Sequence, residues 1–237
     1  AMLDIRPDAV IIASATRSHF EIVQVAAALG IPALVEKPLA RTEEEAEELS
    51  RMEGAFIVPA HSDLHAPGLQ QLWARGAVER LVITRRCAPH SSDAPAAWSR
   101  RALYESLYHL TSLAVRGCGA AGPIEVRNAV WRGEQRPERV RAEMAFGQGA
   151  VEFEWEASGD DDELVIAATC GEETVRWRRA GATFSVETGG RSRKIERATG
   201  ELAGMLEAFR DAVRGERASE ASGRDAVATM RATRLLL

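Results

Sequence analysis

One stretch, residues 7–40, constrains the fold of this chain most, because it reads as a strand, a helix and a second strand in close succession. Residues 8–14 are dominated by alanine, valine and isoleucine without polar alternation, which is typical of a strand buried on both faces of a parallel sheet. Ser18, with Glu21 three residues later, has the spacing of a capping box and predicts that a helix begins there. A second apolar strand follows over residues 33–35. The stretch therefore predicts parallel α/β structure.

The second strand ends on a charged triplet, Glu36, Lys37 and Pro38. In open α/β sheets, ligands bind at the carboxyl ends of the strands. Ser14 and Thr16 follow the first strand at the same edge. The sequence therefore predicts a ligand site formed by these two loops. The alternative is a solvated glutamate–lysine pair before a turn proline, without a functional role.

The pattern continues with a second helix and a third strand. Thr42 and Glu45 have the spacing of another capping box, at the start of an acidic helix over residues 43–52. A further apolar run over residues 55–58 predicts the third strand. Three strands separated by two helices predict a partial Rossmann-like parallel layer of the α/β class, which we assign to residues 1–76.

From residue 78 onward the sequence pattern changes to alternating apolar and polar residues, which is typical of strands with one solvent-exposed face. Strands are predicted at residues 81–84, 124–131, 139–146, 150–156, 164–168 and 173–177, with a weaker pair around Phe184 and Lys194. Helices over residues 201–214 and 225–237 close the chain. Residues 77–237 are therefore predicted to form an α+β region, a larger and mostly antiparallel sheet with flanking helices that packs with the parallel layer.

The composition argues against several classes of protein. With a net charge of −5 at pH 7, the chain has no basic field for nucleic acid. No apolar run approaches the roughly 20 residues that a membrane span requires, so we expect a cytoplasmic protein without a membrane partner. Three widely spaced cysteines argue against a disulfide framework. The spacing of His61, Asp63 and His65 would suit a metal ion, but no further histidine or cysteine accompanies them, and we expect no metal site.

A predicted helix over residues 96–117 carries candidate acid/base chemistry. Glu105 and His109 lie four residues apart and so share one helix face, where the carboxylate could orient the imidazole. The alternative is a histidine that faces solvent or is satisfied in the core. Residues 117–122 match the letters G-x-G-x-x-G, but they stand between a helix and a strand, which is the wrong order for a dinucleotide site. We interpret them as a connection.

Together, these features resemble the Gfo/Idh/MocA oxidoreductase family. The resemblance rests on the buried first strand, on the S-x-T-x-x-H loop of Ser14, Thr16 and His19, and on the Glu-Lys-Pro strand end. It implies a dinucleotide-binding fold in which Lys37 lies beside the nicotinamide and the substrate. It further implies cofactor contacts from Ser14, Thr16, His19 and Glu36. For the later residues it implies an antiparallel sheet with substrate contacts on one face and often a subunit interface on the other.

The helix extends the resemblance, because Trp98, Glu105 and His109 resemble the family pattern W-R…G-G-x-L-x-D-x-G-x-H-x-x-D. By this resemblance His109 is the acid/base histidine. The expected catalytic residues are Lys37, His109 and Glu105, and the expected substrate contacts are Trp98, Tyr104 and Tyr108. The chain departs from the pattern in three places: arginines stand in place of the glycines, a glutamate replaces the first aspartate and a serine replaces the second.

The family's first strand, its glycine-rich phosphate loop and the carboxylate that holds the ribose would precede Pro7, where this chain has six residues. We therefore expect an N-terminally truncated family member that binds NAD(P) weakly or not at all. The strand over residues 8–14 then lacks its usual neighbour. An open apolar strand edge is a pairing hazard that folded proteins cover, and it favours a homodimer.

Three functions follow from these observations. The first is an oxidoreductase that acts on a small polar, sugar-like substrate, with the phosphate-binding half of the cofactor site supplied elsewhere. The second is a cofactor-independent lyase, isomerase or cyclase that uses Lys37 and His109 as acid and base. The third is a non-catalytic binding or scaffold protein. A small-molecule substrate is the expected partner in the first two.

Overall fold

Three short parallel strands form the first layer of this computed structural model, which describes residues 5–87, 100–132, 138–147, 149–157, 162–196 and 200–237. The strands are β1 (Val10–Ile12), β2 (Ala33–Val35) and β3 (Ile57–Pro59), paired in the order β1-β2-β3. They are joined by helices α1 (His19–Ala28) and α2 (Glu43–Ser50). The predicted parallel layer is confirmed, although each strand pairs over three residues only.

The capping box predicted at Ser18 is wrong. A 3₁₀ turn, Thr16–Ser18, precedes α1, so Ser18 already has near-helical backbone angles rather than the extended ones of a capping residue. Its hydroxyl donates to the carbonyl oxygen of Ala15 at 2.8 Å. Thr42 does cap α2, because it is extended and its hydroxyl accepts from the backbone N–H of Glu45 at 3.2 Å.

The second layer is an eight-stranded sheet with the order β11-β10-β9-β8-β4-β7-β6-β5. Its strands are β4 (Arg80–Cys87), β5 (Ile124–Arg132), β6 (Arg139–Phe146), β7 (Gly149–Ala157), β8 (Glu163–Cys170), β9 (Glu173–Ala180), β10 (Thr183–Thr188) and β11 (Arg191–Ile195). Within this sheet, the central pair of β4 and β7 is the only parallel one among the strands that the structure describes. The prediction of a mostly antiparallel sheet is confirmed.

Four more helices connect the layers: α3 (Gln70–Trp73), α4 (Arg100–Cys118), α5 (Glu201–Val213) and α6 (Gly223–Leu235). Helix α4 covers the inner face of the large sheet, where Leu107 joins the core around Trp155 and Trp177. Helix α5 packs on one face of the parallel layer through Met205 and Phe209. Helix α6 packs on the other, so both closing helices cover the layer formed by the beginning of the chain.

The outer face of the large sheet is polar. Along β7, Val151, Phe153 and Trp155 are buried while the intervening glutamates point outward, as the alternation predicts. These glutamates pair with arginines on neighbouring strands, for example Glu152 with Arg80 at 2.7 Å. Exposed pairs of this kind contribute little stability each. No helix in the described part of the chain is long and apolar enough to cross a membrane.

Candidate active site

The loop after β2 presents Lys37 at the carboxyl edge of the parallel layer. The backbone N–H of Glu36 donates to the carbonyl oxygen of Ile12 at 2.8 Å, and that of Lys37 donates to the Glu36 carboxylate at 3.1 Å, so the first two residues of the triplet are held. The Lys37 side chain is 19% exposed, and its Nζ lies 3.5 Å from Oε2 of Glu105 on α4. The predicted lysine and the predicted helix therefore meet in one place.

His109 is held by a different carboxylate from the one that sequence analysis assigned to it. Its Nδ1 lies 3.0 Å from Oδ2 of Asp63, in the 3₁₀ turn Ser62–His65 that follows β3. Glu105 shares the helix face, and its Oε2 lies 3.5 Å from Nζ of Lys37. The carboxylate at Nδ1 of His109 is therefore that of Asp63, from the β3 loop, and a catalytic role of Glu105 stays a prediction.

Asp63 is itself held from the far side. Its Oδ1 lies 3.6 Å from the guanidinium of Arg179 on β9, which pairs at 2.6 Å with Glu201 in the first turn of α5. Burial by itself would raise the pKa of Asp63, but the charge and hydrogen bond of His109 and the charges of Arg179 and Arg85 hold it well below its usual range. Asp63 is thus a carboxylate at neutral pH.

Behind this group lies a buried aromatic pair. His61 is buried, and its Nε2 is 3.4 Å from the hydroxyl of Tyr108. Burial, with the positive charges of His109 and Lys37, lowers the pKa of His61 to about 3, so the ring is neutral at neutral pH. Burial also raises the pKa of Tyr108. Tyr108 lies in the core at 1% exposure, whereas Tyr104, one turn earlier, is partly exposed. Their contact with a substrate stays a prediction.

The residues expected to touch a cofactor separate into two kinds. His19 is buried, and its ring nitrogens each lie 3.0 Å from a carbonyl oxygen, Nδ1 from that of Pro38 and Nε2 from that of Ser14. It therefore ties the loop after β1 to the loop after β2. Ser14, Thr16 and Glu36 remain partly or fully exposed at the carboxyl edge. Trp98, the remaining predicted residue, lies outside the described residues.

Dinucleotide binding at this edge stays a prediction. The resemblance implies a nicotinamide beside Lys37, and its contacts with Ser14, Thr16 and Glu36 stay a prediction. The phosphates of a dinucleotide need a glycine-rich turn between a strand and a helix N-terminus. No such turn occurs in the described ranges, and residues 117–122 run from the end of α4 towards β5, as the sequence indicated.

Sequence analysis missed Asp63 as a partner of His109, and it missed Arg179 and Glu201 altogether. One signal was available for Arg179. In the alternation of β9, Val175 and Trp177 face the core, and Arg179 continues the same face with its side chain only 12% exposed. A core-facing arginine requires partners. Their identity was not readable, because both come from distant parts of the chain.

Comparison with known proteins agrees with the resemblance. The model of the Gfo/Idh/MocA family, described as an oxidoreductase family with an NAD-binding Rossmann fold, matches residues 1–55. The UDP-N-acetylglucosamine 3-dehydrogenase GnnA from Acidithiobacillus ferrooxidans shares the fold with a TM-score of 0.77 at 20% identity, over 99% of this chain and 79% of that chain. No curated protein matches the chain by sequence.

Two further solved structures have the same fold. A dehydrogenase (MviM) from Clostridium difficile has a TM-score of 0.75 at 15% identity, over 98% of this chain and 79% of that chain. KijD10, a 3-ketoreductase from Actinomadura kijaniata solved with TDP-benzene and NADP, has a TM-score of 0.65 at 17% identity, over 96% of this chain and 76% of that chain. At these identities the likeness establishes the fold.

Proposed function

Because this chain has the fold of the Gfo/Idh/MocA oxidoreductases and its residues 1–55 match that family's model, we propose that it acts on the hydroxyl or carbonyl group of a small polar, sugar-like substrate. One observation carries the proposal. Lys37 and His109 stand at the same edge of the parallel layer, and each is held by a carboxylate. Two positioned groups with ionisable protons are what proton transfer at a carbon–oxygen bond requires.

The two residues divide the work. With Nδ1 of His109 held by Asp63, Nε2 is the atom through which the ring takes the proton of a substrate hydroxyl. Lys37 donates hydrogen bonds to the same oxygen as negative charge develops on it. When bound, a nicotinamide coenzyme supplies the hydride acceptor, and the chain's own residues supply positioning and proton transfer.

A second function has an observation in its favour. The pairs of Lys37 with Glu105 and of His109 with Asp63 come from this chain alone. A lyase, isomerase or cyclase needs only such acid/base groups. In that case Lys37 and His109 remove and return a proton at carbon, and no hydride leaves the substrate. NAD(P) binding by this chain is then weak or absent.

One set of experiments separates these functions. The purified protein is incubated with UDP-N-acetylglucosamine and other sugar nucleotides, with NAD⁺ or NADP⁺, and absorbance at 340 nm reports reduced coenzyme. The same substrates in D₂O without coenzyme report carbon-bound proton exchange by NMR. Absorbance change supports the oxidoreductase, and exchange without it supports the second function. Neither signal with any substrate, together with no coenzyme binding by calorimetry, would refute both and leave a binding or scaffold role.

The open edge of the parallel layer supports a homodimer. Ile11, in the middle of the edge strand β1, is 54% exposed although it belongs to a sheet. An apolar edge strand of this kind is covered in folded proteins. Light scattering at micromolar concentration is expected to give twice the mass of one chain. A monodisperse monomer over that concentration range contradicts the proposal.

A further inference from the structure

Four charged or ionisable side chains form a continuous chain of contacts that ends on His109. Glu201 lies 2.6 Å from Arg179, Arg179 lies 3.6 Å from Oδ1 of Asp63, and Oδ2 of Asp63 lies 3.0 Å from Nδ1 of His109. The four residues come from α5, β9, the turn after β3 and α4. Elements that are far apart in sequence therefore converge on one imidazole.

The middle of this chain of contacts is shielded from water. The side chain of Asp63 is 13% exposed and that of Arg179 is 12% exposed, against 32% for His109. Both Asp63 oxygens are engaged, one by each neighbour. The carboxylate therefore cannot turn towards solvent without losing both contacts, and a charge held inside a protein without its partners is costly.

An ionised carboxylate can only accept hydrogen bonds. Nδ1 of His109 must therefore carry the proton that it shares with Asp63, which leaves Nε2 of the neutral ring as a proton acceptor. We propose that Asp63 is a positioning residue that fixes His109 as the Nδ1–H tautomer, and that Arg179, clamped by Glu201, holds Asp63 for this task. This proposal rests on the proposed function in one point only, which is that His109 takes part in a reaction.

The contact with Arg179 determines how the amide group of Asp63→Asn would be oriented. The guanidinium can only donate, so the amide oxygen of Asp63→Asn takes the Oδ1 place beside Arg179. The amide NH₂ then faces Nδ1 of His109, which has to accept. The ring must switch to the Nε2–H tautomer, and Nε2 loses its capacity to take a proton.

Nitrogen-15 NMR of the histidine rings tests this without any substrate. In the wild-type chain, at a pH at which the ring is neutral, the signal that disappears in His109→Gln is expected to show protonated Nδ1 and bare Nε2. In Asp63→Asn the pattern is expected to reverse. Glu173→Gln, which removes a carboxylate from the exposed pair with Arg75, is the matched control and should leave the His109 signal unchanged.

The wild-type spectrum is decisive even if a variant does not fold, because bare Nδ1 in the wild type overturns the proposal. An unchanged tautomer in folded Asp63→Asn overturns it as well. Where turnover is found, Asp63→Asn should lower kcat by on the order of 10²-fold or more with little change in KM, and an unchanged kcat in the folded variant also overturns the proposal. Absence of turnover with the expected tautomers refutes the proposed function and leaves the role of Asp63 intact.

Discussion

Replacement of Lys37 by methionine should separate activity from stability. The Nζ atom of Lys37 is 3.5 Å from Glu105, whose side chain is 50% exposed. A pair so close to solvent contributes at most about 1 kcal/mol to the free energy of unfolding. Methionine keeps the apolar part of the side chain, so the packing around it is retained. For a chain of this size the melting temperature should fall by no more than about 2–4 °C.

The effect on turnover should be much larger. Removal of a residue that transfers a proton or stabilises a developing charge lowers kcat by roughly 10²–10⁴-fold. At about 1.4 kcal/mol per factor of ten, that is about 3–6 kcal/mol on the barrier. The barrier therefore changes several times more than the stability does. A purely structural Lys37 would show the opposite ratio.

The assay is steady-state turnover of whichever substrate reacts, measured beside calorimetric melting. Arg75→Met is the matched control, because Arg75 also pairs with a glutamate, at 2.7 Å from Glu173, but on the exposed rim near the large sheet. Its kcat should stay within twofold of wild type. If Lys37→Met turns over at the same rate as Arg75→Met, the assignment of Lys37 to the reaction is wrong.

Three further predictions concern stability and are measured by urea unfolding. Gly68→Ala should lower the free energy of unfolding more than Gly54→Ala. Both glycines have positive φ, which costs about 1–2 kcal/mol for alanine, but a Cβ at position 68 would also clash with the side chain of Ile195. Equal losses would show that Ile195 moves aside freely. Burial lowers the pKa of His61 to about 3 in the folded protein. Below about pH 6.5 the ring therefore binds a proton in the unfolded chain but not in the folded one, and the free energy of unfolding should fall by about 2 kcal/mol between pH 7 and pH 5. His61→Gln should flatten that dependence, and an unchanged slope would contradict it. Thr111→Val removes a buried hydroxyl contact of 2.7 Å with Thr233, which joins α4 to α6, and should lower the free energy of unfolding by about 1 kcal/mol. An unchanged free energy of unfolding would mean that this contact does not stabilise the protein.

The local signals in the sequence were sufficient for the elements. Uninterrupted apolar runs identified the three parallel strands, and strict alternation identified the outward glutamates of β7. Strand order in the large sheet was not predictable, because β4 pairs with β7 and β8, and neither pairing leaves a local trace. The packing of α5 and α6 on the first layer was missed for the same reason.

Helical spacing alone did not predict Asp63 as the partner of His109. The spacing of Glu105 and His109 by four residues brings them onto one face, but such a pair on an exposed helix stabilises by only a few tenths of a kcal/mol. Glu105 lies 3.5 Å from Lys37, which is in the loop after β2. His109 lies 3.0 Å from Asp63, which is in the turn after β3. Either tertiary contact is enough to override a preference that weak.

Arg179 breaks the apolar pattern on the core-facing side of β9. A guanidinium on the core-facing side of an alternating strand is unfavourable unless its charge is compensated, and here Asp63 and Glu201 compensate it. An apolar residue at position 179 would extend the row of Val175 and Trp177 and would satisfy the sheet by itself. Stability alone therefore gives no reason for an arginine there. Positions where a sequence breaks its own pattern are expected at functional sites. Since the charge of Arg179 acts on the carboxylate that holds His109, the break in the pattern of β9 points to the same imidazole that the α4 sequence indicated.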